Sequence, residues 1–373
     1  MKVLIVTNSS SGLYQFRRDL IKDLIKKNNK VEVISPNCGF INELKGLGCC
    51  LNILEMDRRG KNLIAEFKLI FKYRNLIKKI NPDKIISYTI KPNIYCGFIS
   101  SFLGIDFYPN ITGLGTGFQK DNFLKKLIIF MYRKAFRKAN KVFFENKSNR
   151  ELFIEKKISN DKNSICLNGA GVNLDEFEFS ALPPFETVNF IFMGRIMKEK
   201  GMDELFEAIK FVKAKYKKTR FIILGGLEES YEEYIDNMKN EYLLEYYGEV
   251  KDVRTYIKCS HCILLPSYHE GMSNALLEGA AMGRPLITSN IPGCKEAVRN
   301  NKSGFLHRVK DSKDLANKIE KFILLSNEEK IAFGKESRKI VEEKFDKKKV
   351  IYETIENIFE DIKKEELSGE YFS

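Results

Sequence analysis

Along the chain, short runs of apolar and β-branched residues alternate with longer stretches whose apolar positions recur every three or four residues. "KVLIVTN", "KVEVISP", "KIISYT", "KVFFEN" and "NSICLN" occupy the first half, and "VNFIFMG", "RFIILGG", "HCILLPS" and "PLITSN" the second. Apolar runs without a polar alternation are buried on both faces, so the pattern predicts parallel sheets covered by helices on either side. The chain therefore reads as α/β, with two Rossmann-like doubly wound domains in tandem facing a central crevice. Its 373 residues agree, because one hydrophobic core usually stops growing well short of that length. The break is expected at "FSALPPFETV", where paired prolines interrupt the periodicity. That gives domains at 1–180 and 181–349. The residues after the last strand read as almost wholly helical, and their end, about 350–373, is expected to cross back onto the first domain.

Composition narrows the class. No apolar run approaches the roughly 18 residues of a spanning helix, the longest suggestive piece being "LIIFMY". The start "MKVLIVTNSSSG" turns polar too soon for a signal peptide and suits a buried first strand, so a cytoplasmic location is expected. Eight cysteines lie scattered without regular spacing, which favours reduced, packed thiols. Only "CSHC", Cys259 to Cys262, imitates a metal motif. It has no second pair and Cys262 opens an apolar run, so it reads as structural. No Asp-x-Asp is present to bridge a metal to a nucleotide diphosphate.

The formal charge of +13 is unevenly spread: residues 1–180 hold 31 Lys/Arg against 17 Asp/Glu, a balance of +14, and the remainder sums to −1. The first half must meet something anionic or be well solvated.

Ligands of doubly wound sheets lie at the carboxyl ends of the strands, which selects three loops. "TNSSSGLYQFRRDL" follows the first strand, and Gly12 would let a sugar or anion approach the backbone, although the loop is no dinucleotide fingerprint and a plain turn explains it equally. "GRIMKEKG" places Arg195 at a strand end and Lys200 before a helix, two permanent cations able to neutralise a leaving diphosphate without metal. "YHEGMSNALLEG" follows "CILLPS": Ser273 or Asn274 caps a short helix whose first amides suit phosphate. Glu270 precedes that helix and Glu278 lies more than one turn into it, a spacing that suits one acid to a sugar and the other to a ribose. Of the three histidines, His261, His269 and His307, only His269 stands near this loop, and a Ser-His-acid triad finds no support.

The run "LLPSYHEGMSNALLEGAAMGRPLITSNIPGCKEAV", with "GRIMKEKG", "NGAGVNLDEF" and "YGEVKDVRTYIKCSHCILLPS", resembles the retaining glycosyltransferases of family 4 and their GT-B architecture across essentially the whole chain. The resemblance implies that Arg195 and Lys200 bind the donor diphosphate and that Glu278 binds the ribose. It also implies that Glu270 holds donor-sugar hydroxyls. Backbone around Met272, Ser273 and Asn274 would meet phosphate or sugar, and backbone near Val250 the base. Gly12 belongs to the loop that resembles the family's donor and acceptor loop; Tyr14, Arg17, Lys91 and Thr112 are the acceptor-side candidates. Where many relatives carry a histidine, "SYTIKPN" has Ile90, which puts acceptor positioning in doubt more than chemistry. "YTIKPNIYCGFISSFLGIDFYPNITGLGTGF" also looks like bacterial capsule, O-antigen or lipid-linked oligosaccharide transferases.

"NFLKKLIIFMYRKAFRKANK" mixes cations with apolar residues at helical spacing, which fits either a helix lying on an anionic bilayer or a buried helix with a basic face. The implied activity is transfer of a hexose or N-acetylhexosamine from a UDP-sugar to a polyprenyl-diphosphate-linked saccharide, without metal or cofactor, peripherally on the inner face of the cytoplasmic membrane. Two alternatives stand beside it: a sugar-nucleotide epimerase or phosphorylase of the same fold, and a non-catalytic protein binding anionic lipid or nucleic acid. No RNA-binding or helix-turn-helix motif supports the nucleic-acid version.

Overall fold

The computed structural model describes residues 1–56, 63–115, 118 and 123–369, and of residues 63 and 361–369 the backbone alone. The chain divides into two compact units: Met1–Ala170 together with the stretch from Lys349, and Gly171–Lys348.

In unit 1, seven strands run parallel in the order β3-β2-β1-β4-β5-β6-β7. They are β1 (Lys2–Val6), β2 (Lys30–Ser35), β3 (Cys50–Ile53), β4 (Lys84–Tyr88), β5 (Asp106–Ile111), β6 (Val142–Phe144) and β7 (Ser164–Cys166). The crossovers supply α1 (Ser10–Lys26), α2 (Ile41–Gly46), α3 (Leu63–Ile80), α4 (Ile90–Leu103), α5 (Phe123–Ala135) and α6 (Lys147–Glu155). One face of the sheet packs on α3 to α6 through Tyr73, Ile99, Tyr132 and Phe153. The other packs on α1 and on the last helix of the chain through Val3, Leu24, Val350 and Ile358. Buried Tyr108 donates from its hydroxyl to the Ile358 carbonyl (3.0 Å), which ties that C-terminal helix to this sheet.

In unit 2, six parallel strands follow the order β10-β9-β8-β11-β12-β13. They are β8 (Val188–Met193), β9 (Thr219–Leu224), β10 (Glu245–Tyr246), β11 (Cys262–Leu265), β12 (Leu286–Ser289) and β13 (Gly304–His307). Helices α7 (Met202–Lys215), α8 (Glu232–Asn240), α9 (Arg254–Lys258), α10 (Asn274–Ala281), α11 (Ser312–Leu324) and α12 (Asn327–Lys344) complete it, and α13 (Lys347–Gly369) leads back to unit 1. Residues 370–373 of the expected crossing segment, and residues 116–117 and 122 of the segments read from the sequence, lie outside the described residues.

All nine strands expected from the apolar runs are present. Four more have weak signals: β3 is half-exposed, β5 carries Asp106 and Pro109, β10 has two residues, and β13 opens on Gly304.

The domain boundary falls about ten residues before the expected one, and the reason is hydrogen bonding. Val172 donates to the Phe345 carbonyl (2.8 Å) and accepts from Lys347 (3.0 Å), so the chain is already part of unit 2 there. Arg284, fully buried, then fastens the proline-bearing segment. Its guanidinium donates to the carbonyls of Ser180 (2.6 Å), Ala181 (3.2 Å), Ile257 (2.9 Å) and Lys258 (2.8 Å). Burial pulls its pKa down to about 10, which still leaves a cation at neutral pH. "CSHC" is occupied by packing and backbone bonds: Cys262 is buried, and the buried ring of His261 accepts from the Asn189 amide (2.9 Å) and donates to the Pro183 carbonyl (3.1 Å). Among the described residues no helix is long and apolar enough to cross a membrane.

Two expectations follow. Arg284→Ala should lower the unfolding free energy by about 3 kcal/mol or more, because several buried carbonyls each lose a partner at roughly 1 kcal/mol or above; urea titration at neutral pH measures it. Burial holds His261 at about 4, below its unfolded value of about 6.5. The unfolded chain therefore takes up a proton that the folded ring refuses, and stability should fall as pH drops from 6.5 towards 4, by at most about 1.4 kcal/mol per pH unit for this group. His307, also buried and shifted downward, adds to the fall. Urea midpoints across that range should drop less steeply in His261→Gln.

Candidate functional site

Strand β11 pairs directly with β8, with Cys262 opposite Phe190 and Ile263 opposite Ile191. Because the strands are parallel, the loops after both leave from the same edge of the sheet. Arg195 and Lys200 follow β8; Glu270 and the start of α10 follow β11. The two loops are joined through the backbone. Tyr268 donates to the Glu199 carbonyl (2.9 Å). Gly201, at φ +72°, lies so close to the Pro266 carbonyl that a Cβ there would sit 2.2 Å from its oxygen, so only glycine fits.

The consequence is an ion pair. Lys200 Nζ lies 2.5 Å from Glu270 Oε1, with side chains only 18% and 12% exposed, and Ser267 Oγ donates to the same oxygen at 2.8 Å. The sequence places these two charges in one loop cluster, but it does not show that they pair with each other. Arg195 is half-exposed and its Nη1 reaches both carboxylate oxygens of Glu228, at 2.8 and 2.9 Å. Glu228 follows β9, the neighbour of β8 on the other side, and the loops after these strands are zipped by Ile196 donating to Gly226 (2.9 Å) and Glu228 donating to Ile196 (3.1 Å). Sequence reasoning missed Ser267 and Glu228. Ser267 stands three residues before Glu270 at a strand end, a usable signal, whereas Glu228 becomes visible only once β9 is known to lie beside β8.

Helix α10 begins as expected. Ser273 is its cap, its side chain accepting from the Leu276 amide at 3.4 Å. Its own amide is spent differently from the expectation: it donates to the Gly293 carbonyl (3.0 Å), so Ser273 holds the helix start in place. Gly293, at φ +84°, passes against Glu270 and Gly271, where a Cβ would come within 2.7 Å of the Glu270 carbonyl oxygen. The first-turn amides of Asn274 and Ala275 remain the ones that a helix leaves without intrahelical partners. Met272 is buried beside the cap, and Glu278 is half-buried one turn after Asn274. Val250, in the segment after β10, packs half-buried against the core of unit 2. His269 is exposed next to Tyr268, whose hydroxyl donates to both oxygens of Glu204 (2.8 and 2.7 Å).

In unit 1 the candidates are mostly engaged. Gly12 is in the first turn of α1 and not in a loop, its amide donating to the capping Ser9 Oγ (3.0 Å). Tyr14 stacks on Phe40 with ring centroids 5.1 Å apart. Arg17 pairs with Glu145 (2.6 Å) and lies over the Tyr88 ring, and Lys91 pairs with Glu66 (2.5 Å). Thr112 is half-buried just past β5. Ile90 opens α4 directly after Thr89, a β-branched residue held at φ +74°. The hydroxyls of Tyr88 and Thr89 are buried there without a hydrogen-bond partner among the described residues.

Among the described residues, no group of three or more His, Cys, Asp and Glu side chains stands close enough to hold a metal ion. The site of unit 2 offers two cations, three carboxylates and a capped helix start along one sheet edge, a set suited to an anionic ligand that also carries hydroxyls.

Residues 2–146 match the family model described as glycosyl transferase 4-like, and residues 187–324 the model described as glycosyl transferases group 1. The N,N'-diacetylbacillosaminyl-diphospho-undecaprenol alpha-1,3-N-acetylgalactosaminyltransferase of Campylobacter jejuni subsp. jejuni serotype O:2 is 27% identical over 349 residues, 89% of this chain and 91% of its own. The capsular polysaccharide biosynthesis glycosyltransferase CapM of Staphylococcus aureus is 26% identical over 368 residues, 93% of this chain and 94% of its own. The fold is also that of Anabaena Alr3699/HepE, solved in complex with UDP and glucose, at a TM-score of 0.79 and 15% identity over 96% of this chain and 99% of the other. The chain belongs to the family 4 glycosyltransferases of GT-B fold, and it is a glycosyltransferase.

Proposed function

We propose that the protein transfers a sugar, with retention at its anomeric carbon, from a UDP-sugar to a saccharide carried on a polyprenyl diphosphate. The observation that carries the proposal is the Lys200–Glu270 pair, with Arg195 following the same strand β8. Two charges held out of water repay their desolvation only when their geometry is good and further groups satisfy them, so a pair kept at a strand-end loop suits a ligand that engages both members. A donor diphosphate would engage Lys200 and Arg195, and hydroxyls of its sugar would engage Glu270. The α10 amides and the Glu278 carboxylate suit a phosphate and a ribose. UDP, the nucleotide held by the Anabaena neighbour, is the donor nucleotide to test first.

In the reaction the bond between the anomeric carbon and the phosphate oxygen breaks, and the acceptor oxygen bonds to that carbon on the same face. The acceptor's proton passes to the leaving phosphate. The electron pair of the broken bond stays on that phosphate, where Lys200 and Arg195 stabilise it in place of a metal. Glu270 positions the sugar, and no side chain needs to act as a base. The name of the C. jejuni relative supports an acceptor on diphospho-undecaprenol, and that of CapM supports a role in surface polysaccharide assembly. Such an acceptor would bring the enzyme to the inner face of the cytoplasmic membrane. Both relatives are transferases, which favours transfer over the epimerase, phosphorylase and non-catalytic readings.

Lys200→Ala should lower turnover about 10²- to 10³-fold, the usual effect of removing one stabiliser of developing charge, and EDTA should leave the wild-type rate unchanged. Full activity in the variant, or a rate restored by added Mg²⁺, would overturn the mechanism; the anomeric proton of the product, read by NMR, decides retention. Glu278→Ala should raise KM for the donor more than it lowers kcat, because a ribose contact is made equally in ground and transition states.

A further inference from the structure

On one face of unit 1, α3, α4 and α5 lie side by side, with α4 in contact with both others. Their inner sides share one core. Their outer sides leave large apolar groups in water: Phe67 and Phe71 on α3 are 64% and 61% exposed, Phe102 on α4 71%, and Phe123 and Phe130 on α5 80% and 56%. Phe67 and Phe71 stand four residues apart and Phe123 and Phe130 seven, so each pair follows a single helix face. Large apolar groups exposed together on neighbouring helices of a well-packed unit mark an interaction site.

Charge identifies what covers it. Within the bounds of these three helices the sequence holds ten basic residues and one acid, Glu66, which is already paired with Lys91. Lys68, Lys72, Lys126 and Lys134 are exposed beside the rings. Two cations lie directly on the apolar surface, the Arg74 guanidinium 5.3 Å from the Phe102 ring centre and Lys134 Nζ 5.7 Å from that of Phe130. A second copy of this face would bring like charges together. A surface that is apolar at its rings and anionic at the level of their rims is that of a bilayer with acidic headgroups.

We infer that the α3–α4–α5 face docks unit 1 on an anionic phospholipid bilayer, with the phenylalanine rings entering the headgroup boundary and the lysines and arginines meeting lipid phosphates. The role of the docking, delivery of the enzyme to a lipid-linked acceptor, rests on the proposed function; the docking itself does not.

The test is co-sedimentation of the full chain, without substrates, with vesicles of phosphatidylcholine alone and of phosphatidylcholine mixed with phosphatidylglycerol. Wild type should bind the mixed vesicles about tenfold or more tightly than the neutral ones, and added salt should release part of it. The triple variant Phe71→Ser, Phe102→Ser, Phe130→Ser removes only exposed rings. It should keep the wild-type melting temperature and its rate on a water-soluble, short-chain acceptor while losing about tenfold or more in vesicle binding. Lys68→Glu with Lys126→Glu and Lys134→Glu should abolish the preference for phosphatidylglycerol. Wild type left in the supernatant with both vesicles, or vesicle binding unchanged in the ring variant, overturns the inference. So does a wild-type dimer in solution that the ring variant converts to monomer. If vesicle binding behaves as stated and no sugar transfer is found, the docking stands and the functional reading falls.

Discussion

The contact between β8 and β11 is the constraint on which the candidate site depends. In a parallel sheet every carboxyl end points to one edge, so adjacent strands must deliver their loops to the same place. Here that rule turns sequence positions seventy residues apart into an ion pair, Lys200 with Glu270. The glycines around it show how closely the backbones are pressed: Gly201 under the Pro266 carbonyl and Gly293 against Glu270 leave no room for a Cβ. The pair is therefore fixed by main-chain packing below it more than by its own attraction, which in a partly dry setting does little beyond offsetting the removal of two charges from water.

Most of the fold and about half of the site were legible in the residues, for reasons that differ. Strands buried on both faces announce themselves as apolar runs, and all nine such runs are strands. The strands that stayed hidden lack that signature, because they are edge strands, very short, or interrupted by Pro109 or Gly304. The boundary was misplaced because prolines in 179–188 read as a linker, whereas Arg284 ties that segment to unit 2 from a position a hundred residues later. Periodicity cannot reveal such a bond: an arginine in "GRP" looks like a surface residue, and its burial follows from the carbonyls that surround it.

The site shows the same division. Loop membership could be read for Arg195, Lys200, Glu270 and Glu278, since each sits just past an apolar run or in the helix that follows one. Partners could not. Residue type offers Ser273 or Asn274 as the cap of α10; the cap is Ser273, and the target of its amide, Gly293, comes from the loop after β12. Gly12 stands where a strand end and a helix start follow closely, and residue type alone does not fix where the helix begins; Ser9 caps it early enough to enclose Gly12. Arg17 and Lys91, acceptor-side candidates by the family resemblance, each have a carboxylate of unit 1 beside them.

The distribution of charge then separates into two kinds of work. Inside unit 1 the pairs Arg17–Glu145, Lys84–Asp106 and Lys91–Glu66 consume cations for internal structure. The remaining excess stands on the surface, where isolated charges contribute little to stability and repel one another. A chain gains nothing in folding by placing phenylalanines among those exposed lysines on α3 and α5, since both the apolar area in water and the like charges count against the folded state. In unit 2, by contrast, acids and bases nearly balance, and cations matter by position: Arg195 and Lys200 stand at one sheet edge, each already facing a carboxylate. Net charge thus describes a surface in the first unit and says nothing about the site in the second. There, each of the two cations is held in its place by an acidic partner from a neighbouring loop.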